Sequence, residues 1–315
     1  MNKIYKKTKE NIKNNNFLFI VLIAIRAYGF YFLNKICNYQ LEKIRFYKHL
    51  RYHLNLKNPK SINEKIVWKK IYDRNPLLPI TSDKYEVRSY IKEVLGEEKA
   101  REILVPLLYA TDQPKTIPFE RLPSFFIVKP NHASGSNIII ENSNYDKKRI
   151  IKTCKRWLKT LYGLEKMEWA YQPIKRKIVI EQLLHDEDGS ILKEFRFHMF
   201  HGKCKFIRVI FDRMNHSSIS SFDEEWNFLS VKKPNRLQGP KIKKPKNYEI
   251  MLELAEKLSK HFDFVRVDLY DLNGKIYFGE LTHYPGSGMG KNEPQSFAFE
   301  LGKHWKLEPE YWKNK

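Results

Sequence analysis

The alternation of apolar and polar residues is clearest over residues 262–290, where two apolar segments meet at Asn273-Gly274. An Asn-Gly pair between two alternating segments favours a tight β-hairpin. Side chains alternate between the two faces of a strand, so the first segment divides into an apolar face and a charged face. The apolar face carries Val265, Val267 and Leu269, and the other carries Arg266 and Asp268.

The register of this hairpin decides whether Glu280, in the second strand, shares a face with Asp268. A two-residue loop pairs Asp268 with Gly279 and puts the carboxylates on opposite faces. A three-residue loop over 272–274, with its glycine as a left-handed bulge residue, pairs Asp268 with Phe278 and brings Glu280 diagonally onto the same face. We predict the three-residue loop. Two carboxylates and an arginine on one face suit magnesium and phosphate; a surface hairpin with solvated charges is the alternative.

Helical periodicity dominates the first hundred residues and returns later in the chain. Ser61 and Glu64 have the spacing of a capping box, which predicts a helix to about Tyr72. Thr81 or Ser82 is expected to cap the next helix, which Gly96 ends. Further helices are predicted over 40–56, 146–161, 248–260 and 294–305.

Short apolar segments bounded by turn residues predict strands over 107–110, 125–130, 138–141, 178–184, 193–200 and 204–211. The loop NHASGSN (131–137) joins two of them and follows Lys129. Its small residues can wrap phosphates, because their backbone amides donate hydrogen bonds and the lysine supplies charge. No Walker pattern follows, and many Gly/Ser loops bind nothing. Lys84, in the first turn of a predicted helix, is either incidental or held for an anion.

Composition narrows the partners without choosing among them. The 315 residues are 42% apolar and carry a formal net charge of +22. This charge favours phosphates, acidic glycans, anionic membranes or nucleic acid, although a genomic bias toward Lys and Asn explains it equally well. Cys37, Cys154 and Cys204 are far apart and odd in number, which favours a reducing compartment over a disulfide framework. No CxxC, HExxH or GxSxG motif occurs.

The N-terminal segment combines basic and apolar residues. Residues 1–16 are rich in Lys and Asn, and FLFIVLIAI (17–25), Arg26 and AYGFYFL (27–33) follow. No small-residue cleavage site follows, and the apolar segment is at or below spanning length and broken by Arg26. We therefore predict an interfacial helix on a membrane surface, with a core helix of the soluble domain as the alternative.

Taken together, these segments resemble the ATP-grasp superfamily, and within it the TupA-like group of bacterial surface-polysaccharide clusters. The likeness covers roughly residues 45–307, and its order and spacing are more specific than any one motif. It rests on NLKNPKSINEKIVW (55–68), SDKYEVRSYI (82–91), Lys129 with the loop 131–137, and FVRVDLYDLNGKIYFGELTHYPGSG (264–288).

The resemblance implies an α+β fold of mixed and antiparallel sheets with helices, in which the nucleotide lies between two subdomains. The expected division is a basic, apolar segment (1–39), an N-terminal helical subdomain (40–124), a small ATP-grasp subdomain with the phosphate loop (125–184) and a C-terminal subdomain with the metal site (185–315). Thr282 stands where the superfamily usually has asparagine, and Pro130 and Ala133 stand where this group often has other residues.

The resemblance also implies a role for each candidate residue. Lys84 and Lys129 would hold the nucleotide phosphates beneath a mobile loop of Ser134, Gly135 and Ser136. Glu181, Gln182 and Leu184 would line the adenine, and Glu194 would bind the ribose. Asp268 and Glu280 would bind magnesium, with Thr282 as an uncertain third ligand. The catalytic set would be Arg266, Lys129 and Gly286, the last in a loop, Pro285 to Gly288, that closes the acceptor side.

The implied activity is ATP- and magnesium-dependent activation of a carboxylate, followed by amide formation with an amine. The acid would be a uronic acid of a surface glycan or an amino acid, and a lipid-linked glycan is a further candidate partner. No nucleic acid is expected. The expected location is the cytoplasm, at the inner face of the membrane, because a membrane span here would export the ATP-using part.

Two other classes of function stay open at this point. A glycosyltransferase of the same pathway would often use a DxD metal motif, for which Asp186-Glu187-Asp188 is the nearest candidate. A non-catalytic polyanion-binding protein would show salt-dependent binding and no dependence on ATP.

Overall fold

Helices and antiparallel strands are mixed along the chain, which confirms the α+β class. The computed structural model describes residues 16–184, 193–211, 218–234 and 236–314. The helices are α1 (Asn16–Ile36), α2 (Gln40–Leu50), α3 (Ile62–Tyr72), α4 (Leu77–Ser82), α5 (Val87–Leu95), α6 (Glu97–Ile103), α7 (Lys147–Trp157), α8 (Tyr248–Ser259) and α9 (Ser296–Lys303). The strands are β1 (Leu107–Thr111), β2 (Phe126–Pro130), β3 (Ile138–Ile140), β4 (Ile178–Gln182), β5 (Lys193–Phe200), β6 (Lys203–Phe211), β7 (Ser218–Phe222), β8 (Phe228–Leu229), β9 (Leu237–Gln238), β10 (Phe264–Leu272) and β11 (Lys275–Thr282).

The larger sheet has the strand order β11-β10-β5-β6-β7-β8, and β9 pairs with β7. Adjacent strands in this order are antiparallel, and only the short β9 is parallel to its neighbour. The apolar face of β10 is buried together with the matching face of β5 and one side of α8. The period-two pattern therefore places the charged residues of β10 on the opposite face, where the candidate site lies.

The smaller sheet has the order β1-β4-β2-β3, with antiparallel pairing throughout. Its core contains Val128 and Ile180 from the sheet and Ile150 and Cys154 from α7. β1 comes from the segment predicted as the N-terminal helical subdomain, so this sheet draws on both sides of the predicted boundary at 124–125. The domain boundaries themselves stay predictions.

The N-terminal helices follow the sequence pattern with one correction. Ser61 and Glu64 form the predicted capping box, and α3 ends at Tyr72. The predicted caps of the next helix were wrong, because Thr81 and Ser82 belong to the short helix α4. The carboxylate of Asp83 instead accepts hydrogen bonds from the backbone amides of Tyr85 and Glu86, just before α5. An aspartate oxygen satisfies amides at a helix start as well as a hydroxyl does.

The apolar N-terminal segment forms one helix, α1, in which Arg26 interrupts the apolar sequence. Arg26 pairs with Glu165 at 2.6 Å on the surface. Many large apolar side chains of this helix are exposed: Leu22, Ile23, Ile25, Tyr28, Phe32, Leu33 and Ile36. A core helix would bury them, so that alternative does not describe most of α1. Within the described residues, no helix is long and apolar enough to cross a membrane.

Other departures from the predicted elements are short. β7, β8 and β9 lie where no strand was predicted, and the helix predicted over 146–161 ends at Trp157. The predicted strands 193–200 and 204–211 form β5 and β6, which are joined at His201-Gly202, and both of these residues have positive φ angles, 49° and 80°.

Candidate nucleotide and metal site

The β10–β11 hairpin places Asp268 directly opposite Glu280. The predicted three-residue loop was wrong: Leu272 pairs with Lys275, so the loop is Asn273-Gly274 alone. A bulge at Gly279 then shifts the register by one residue, and this brings the two carboxylates onto one face. Only glycine fits there, because a Cβ would lie 2.9 Å from the Asp268 carbonyl oxygen.

Arg266 joins the two carboxylates. Its Nε donates to Asp268 Oδ1 at 2.6 Å, and its Nη2 donates to Glu280 Oε1 at 3.0 Å. Nη2 also donates to the hydroxyl of Thr282 at 3.0 Å, and that hydroxyl donates to Glu280 Oε1 at 2.7 Å. The four side chains therefore form one hydrogen-bonded cluster, of which the alternating pattern predicted the shared face of Arg266 and Asp268.

Burial and neighbouring charge set the protonation of this cluster. Burial alone would lower the pKa of Arg266, but Asp268 and Glu280 outweigh it and raise that pKa. Burial raises the pKa of Asp268, and the adjacent Arg266 and Arg196 oppose the rise. A bound cation of higher charge would favour the ionised carboxylate in the same way.

The donor set fits magnesium in part. Asp268 and Glu280 offer carboxylate oxygens that converge on one cationic group, Arg266, which is the arrangement that two ligands of a shared cation require. Among the described residues, no group of three or more His, Cys, Asp or Glu side chains could hold a metal ion. Further ligands would be phosphate oxygens and water, which magnesium commonly retains. The Thr282 hydroxyl is already engaged with Arg266 and Glu280, so its assignment as third ligand stays a prediction.

The predicted phosphate side of the site contains Lys129 and Lys84. Lys129 is the penultimate residue of β2. Its Nζ donates to Glu181 Oε2 at 2.8 Å, while Arg88 Nη1 lies 3.4 Å from Glu181 Oε1. Lys84 Nζ donates to the carbonyl of Ala133 at 2.7 Å, inside the predicted phosphate loop. Burial lowers the pKa of Lys84, with Glu280 opposing this effect and Lys129 adding to it. Lys84 therefore interacts electrostatically with both Lys129 and the carboxylate of Glu280.

Asn131 anchors the start of the phosphate loop. Its Nδ2 donates to both Asp83 oxygens at 2.9 Å, and its Oδ1 accepts from the backbone amide of Lys177 at 2.8 Å. The buried His132 follows, and burial lowers its pKa to about 4. Beyond these anchors the predicted mobile residues Ser134 and Gly135 are exposed, Ser136 is half-buried, and Gly135 has a φ of 72°. The loop therefore has a fixed base and an exposed tip.

The predicted adenine and ribose residues lie on β4 and β5. Gln182 is exposed, Leu184 is half-buried, and Glu181 directs its carboxylate to Lys129 and Arg88. Glu194 is buried, accepts a 2.8 Å hydrogen bond from Arg196, and acts electrostatically on Asp268. The structure thus places Glu194 beside the carboxylate cluster, and its ribose role stays a prediction.

The loop Pro285–Gly288 is held by α3. Asn63 Nδ2 donates to the carbonyls of Gly288 and Gly290, both at 2.9 Å. Lys70 Nζ donates to the carbonyl and hydroxyl oxygens of Ser287 at 2.9 and 3.0 Å. Gly286 directly precedes these anchored residues and lines the adjacent cavity, with nothing within 4 Å of the position that a Cβ would take.

Several cationic residues near the site were not predicted from the sequence. Glu280, Asp268, Arg196 and Arg208 stand opposite one another on four successive strands, in one row across the sheet. Arg196 and Arg208 belong to no motif, and they are two of 58 Lys and Arg residues. The available signal was their parity: Arg196 follows Glu194 by two residues in a predicted strand, so the two share a face.

One antiparallel sheet carries Lys129 and a second carries the paired carboxylates, with Lys84 in the turn just before α5. A family model described as TupA-like ATP-grasp matches residues 64–306. The chain belongs to this family, which confirms the resemblance to the ATP-grasp class. No match was found among curated proteins.

Three solved structures are similar to parts of the chain. D-alanine–D-alanine ligase from Bacillus anthracis matches at 19% identity and a TM-score of 0.43, over 71% of this chain and 64% of its own. The Helicobacter pylori D-alanine–D-alanine ligase matches at 15% identity and 0.43, over 79% and 68%. Phosphoribosylamine–glycine ligase from Thermotoga maritima matches at 13% identity and 0.39, over 74% and 58%. The chain thus spans 58–68% of the length of these three structures.

Proposed function

We propose that this protein is an ATP- and magnesium-dependent carboxylate–amine ligase. The observation that carries the proposal is the position of Lys84. Its amine contacts the phosphate loop at Ala133 and interacts electrostatically with Lys129, Glu181 and Glu280. Lys84 therefore links the lysine side of the site to the carboxylate side, which is where a nucleotide and the group that it phosphorylates must meet.

The proposed reaction has two transfers. An oxygen of the substrate carboxylate attacks the γ-phosphorus of ATP, the bond to the β–γ bridging oxygen breaks, and ADP leaves. The amine nitrogen then attacks the carbonyl carbon of the acyl phosphate, inorganic phosphate leaves, and the nitrogen loses a proton. Lys84 and Lys129 would offset the phosphate charge, and Arg266 would offset charge on the reacting carboxyl group. Magnesium held by Asp268 and Glu280 would neutralise phosphate oxygens.

The proposed pathway is the biosynthesis of a bacterial surface polysaccharide. Membership of the TupA-like family supports it, and the substrate acid would be a uronic acid of the glycan or an amino acid. The proposal includes a lipid-linked glycan as a partner and the inner face of the membrane as the location.

The exposed apolar surface of α1 supports contact with a membrane. Large apolar side chains project from it, and the sequence before it carries five lysines and one glutamate in residues 1–15. Such a helix would bury its apolar side chains at the level of the headgroups, with the lysines on anionic lipids. Deleting residues 1–33 should abolish sedimentation with anionic vesicles while retaining ATP turnover. A truncated protein that still sediments with the vesicles would contradict the membrane contact.

The ligase activity is tested by incubating the purified protein with ATP and magnesium, with uronic acids or amino acids, and with hydroxylamine as a general amine. Formation of ADP, phosphate and a hydroxamate that depends on the added acid is expected. The Glu280→Gln variant is the control for contaminating ATPases. ADP release without any acid-dependent hydroxamate would contradict carboxylate activation. Release of a nucleoside diphosphate from a nucleotide sugar would instead support a glycosyltransferase, whose candidate residues Asp186 to Asp188 lie outside the described residues.

A further inference from the structure

A cavity of about 450 Å³ lies beside the carboxylate cluster, between the charged face of the larger sheet, α3 and the loop after β11. Arg266, which the proposed function places at the reacting carboxyl group, and Gly286 of the loop Pro285–Gly288 form part of its wall. Five of the described residues that line it are cationic, and none is aspartate or glutamate; the five are Arg196, Arg208, Lys233, Arg236 and Arg266. Arg196 and Arg266 pair with carboxylates of the adjacent cluster, so the net charge of the wall depends mainly on the remaining cationic side chains.

Arg208 is buried in this wall without a countercharge. Arg208 is 9% exposed, and its Nη2 donates to Asn292 Oδ1 at 2.5 Å. Its Nε has no hydrogen-bond partner, and no carboxylate of the described residues forms an ion pair with it. Burial, together with the charges of Arg196 and Arg266, lowers its pKa to about 9.

Lys233 enters the same wall from the loop after β8. Its Nζ reaches the backbone at Gly290, where it lies 2.9 Å from the position that a Cβ would take. Within the described part of the chain, its amine forms no ion pair. Burial lowers its pKa well below the ordinary value, and the charges of Arg208, Arg266 and Arg196 lower it further.

By contrast, the two fully buried lysines of the described residues are neutralised by ion pairs. Lys69 Nζ contacts carboxylate oxygens of Asp73 and Asp263, both at 2.5 Å, and Lys70 Nζ contacts Glu42 at 2.6 Å. Buried charge without a partner is costly, and like charges on directly opposite strand residues repel, as Arg196 and Arg208 do here. Retaining Arg208 and Lys233 side by side is therefore unfavourable for the empty protein, and a bound anion would remove the cost.

We propose that this cavity binds a second oxyanion of the substrate, a carboxylate or a phosphate group, at a distance from the carboxylate that reacts beside Arg266. The guanidinium of Arg208 supplies two donor directions and Lys233 a point charge, which together suit an oxyanion. Ile62, Ile66 and Phe206 line the same cavity and offer apolar surface for the carbon skeleton between the two anionic groups. The inference rests on the proposed function and narrows its substrate to acids with at least two negative groups.

The test uses the full chain saturated with magnesium and a non-hydrolysable ATP analogue, so that the γ-phosphate position is already filled. Inorganic phosphate, glutarate and butyrate are titrated by calorimetry at constant ionic strength. Phosphate or glutarate should bind at least about tenfold more tightly than butyrate, because butyrate brings one charge only. Comparing phosphate with glutarate distinguishes a phosphorylated substrate from a dicarboxylate.

Lys233→Met should weaken binding of the preferred anion by about tenfold or more, the usual effect of losing one charge-assisted hydrogen bond. Lys232→Met is the matched control, because Lys232 is the exposed neighbour and the change in net charge is identical. Arg208→Gln is the second variant. Without any ligand, Lys233→Met should raise the melting temperature, since it relieves repulsion, whereas a lysine with a purely structural role would lower it.

The proposal fails if phosphate and glutarate bind no more tightly than butyrate, or if Lys232→Met weakens binding as much as Lys233→Met. Thermal stabilisation by the nucleotide, measured in the same samples, distinguishes failure of the proposed substrate class from failure of the proposed ligase function. Intact nucleotide binding without anion selectivity would refute the substrate class alone. Absence of nucleotide binding would refute the proposed ligase itself.

Discussion

Replacing Lys129 by methionine isolates the contribution of one lysine to ATP binding. Methionine retains most of the packing of the side-chain stem and removes the charge. A hydrogen bond to a charged group is worth about 1.5–3 kcal/mol, or roughly 10- to 150-fold in Kd. In the free protein Lys129 already donates to Glu181 at 2.8 Å. ATP phosphates must compete with that carboxylate, so we expect the lower end of the range, about tenfold.

The same change should affect the nucleotide-free protein only slightly. The Lys129 side chain is 25% exposed, and a partly exposed ion pair contributes about 0.2–1 kcal/mol to stability. Glu181 retains Arg88 at 3.4 Å. The melting temperature should therefore fall by no more than about 2–4 °C.

The assay is thermal stabilisation by ATP in magnesium, measured across nucleotide concentrations. Stabilisation grows as RT ln(1 + [L]/Kd), so a tenfold weaker site shifts the curve by one decade of concentration. Lys205→Met is the control, because Lys205 is also partly exposed and ion-paired, with Glu224, but lies on β6. If the Lys129 curve superimposes on the wild-type curve, or Lys205→Met shifts equally, the phosphate role of Lys129 is refuted.

Three further predictions follow from the site. Glu280→Gln should abolish magnesium-dependent turnover with little loss of stability. Asp268→Asn should also destabilise the protein by roughly 3–5 kcal/mol, because it breaks a buried ion pair. Turnover and denaturant unfolding of both variants check this, and wild-type turnover in Glu280→Gln would exclude Glu280 from the metal site. Burial holds the pKa of His132 at about 4, so its neutral form should contribute fully to stability above pH 6.5, and stability should fall as the pH drops toward 4. A His132→Gln variant with an equally steep fall in melting temperature would contradict this. Gly288→Ala should destabilise the protein by about 1–3 kcal/mol more than Gly286→Ala. Both glycines have positive φ angles, but only a Cβ at Gly288 would clash, 2.7 Å from Val67. Equal losses of unfolding free energy in denaturant would disprove the clash.

The hairpin shows what alternation predicts and what it does not. Period two placed Arg266 and Asp268 on one face, and the structure confirms this. The register depended on where one extra residue lies, and the sequence offered two glycines for it. The structure uses Gly279, because close approach to the Asp268 carbonyl requires a residue without a side chain. The turn preferences of Asn273-Gly274 do not predict the close approach of Gly279 to the Asp268 carbonyl.

The cationic cavity could not be predicted, because its charge arises from pairing between distant strands. Arg196 and Arg208 become neighbours only through the β5–β6 register, and Lys233 joins them from an irregular loop. By contrast, the strand with Lys129 and the loop after it could be predicted, since a strand, a lysine and small residues follow one another directly in the chain. Their role in phosphate binding stays a prediction. Asp83, rather than Thr81 or Ser82, contacts the amides before α5, because Thr81 and Ser82 form the end of α4.

The bracing of the acceptor loop has a consequence for the order in which a newly synthesised chain acquires its parts. Asn63 and Lys70 contact Gly288 and Ser287 across 225 and 217 positions of sequence. The strands of the smaller sheet, by contrast, are all present once residue 182 has emerged from the ribosome. Contacts at such long separation close slowly and late. The nascent protein can therefore assemble the smaller sheet first, and it cannot brace the loop Pro285–Gly288 until residue 288 has been made.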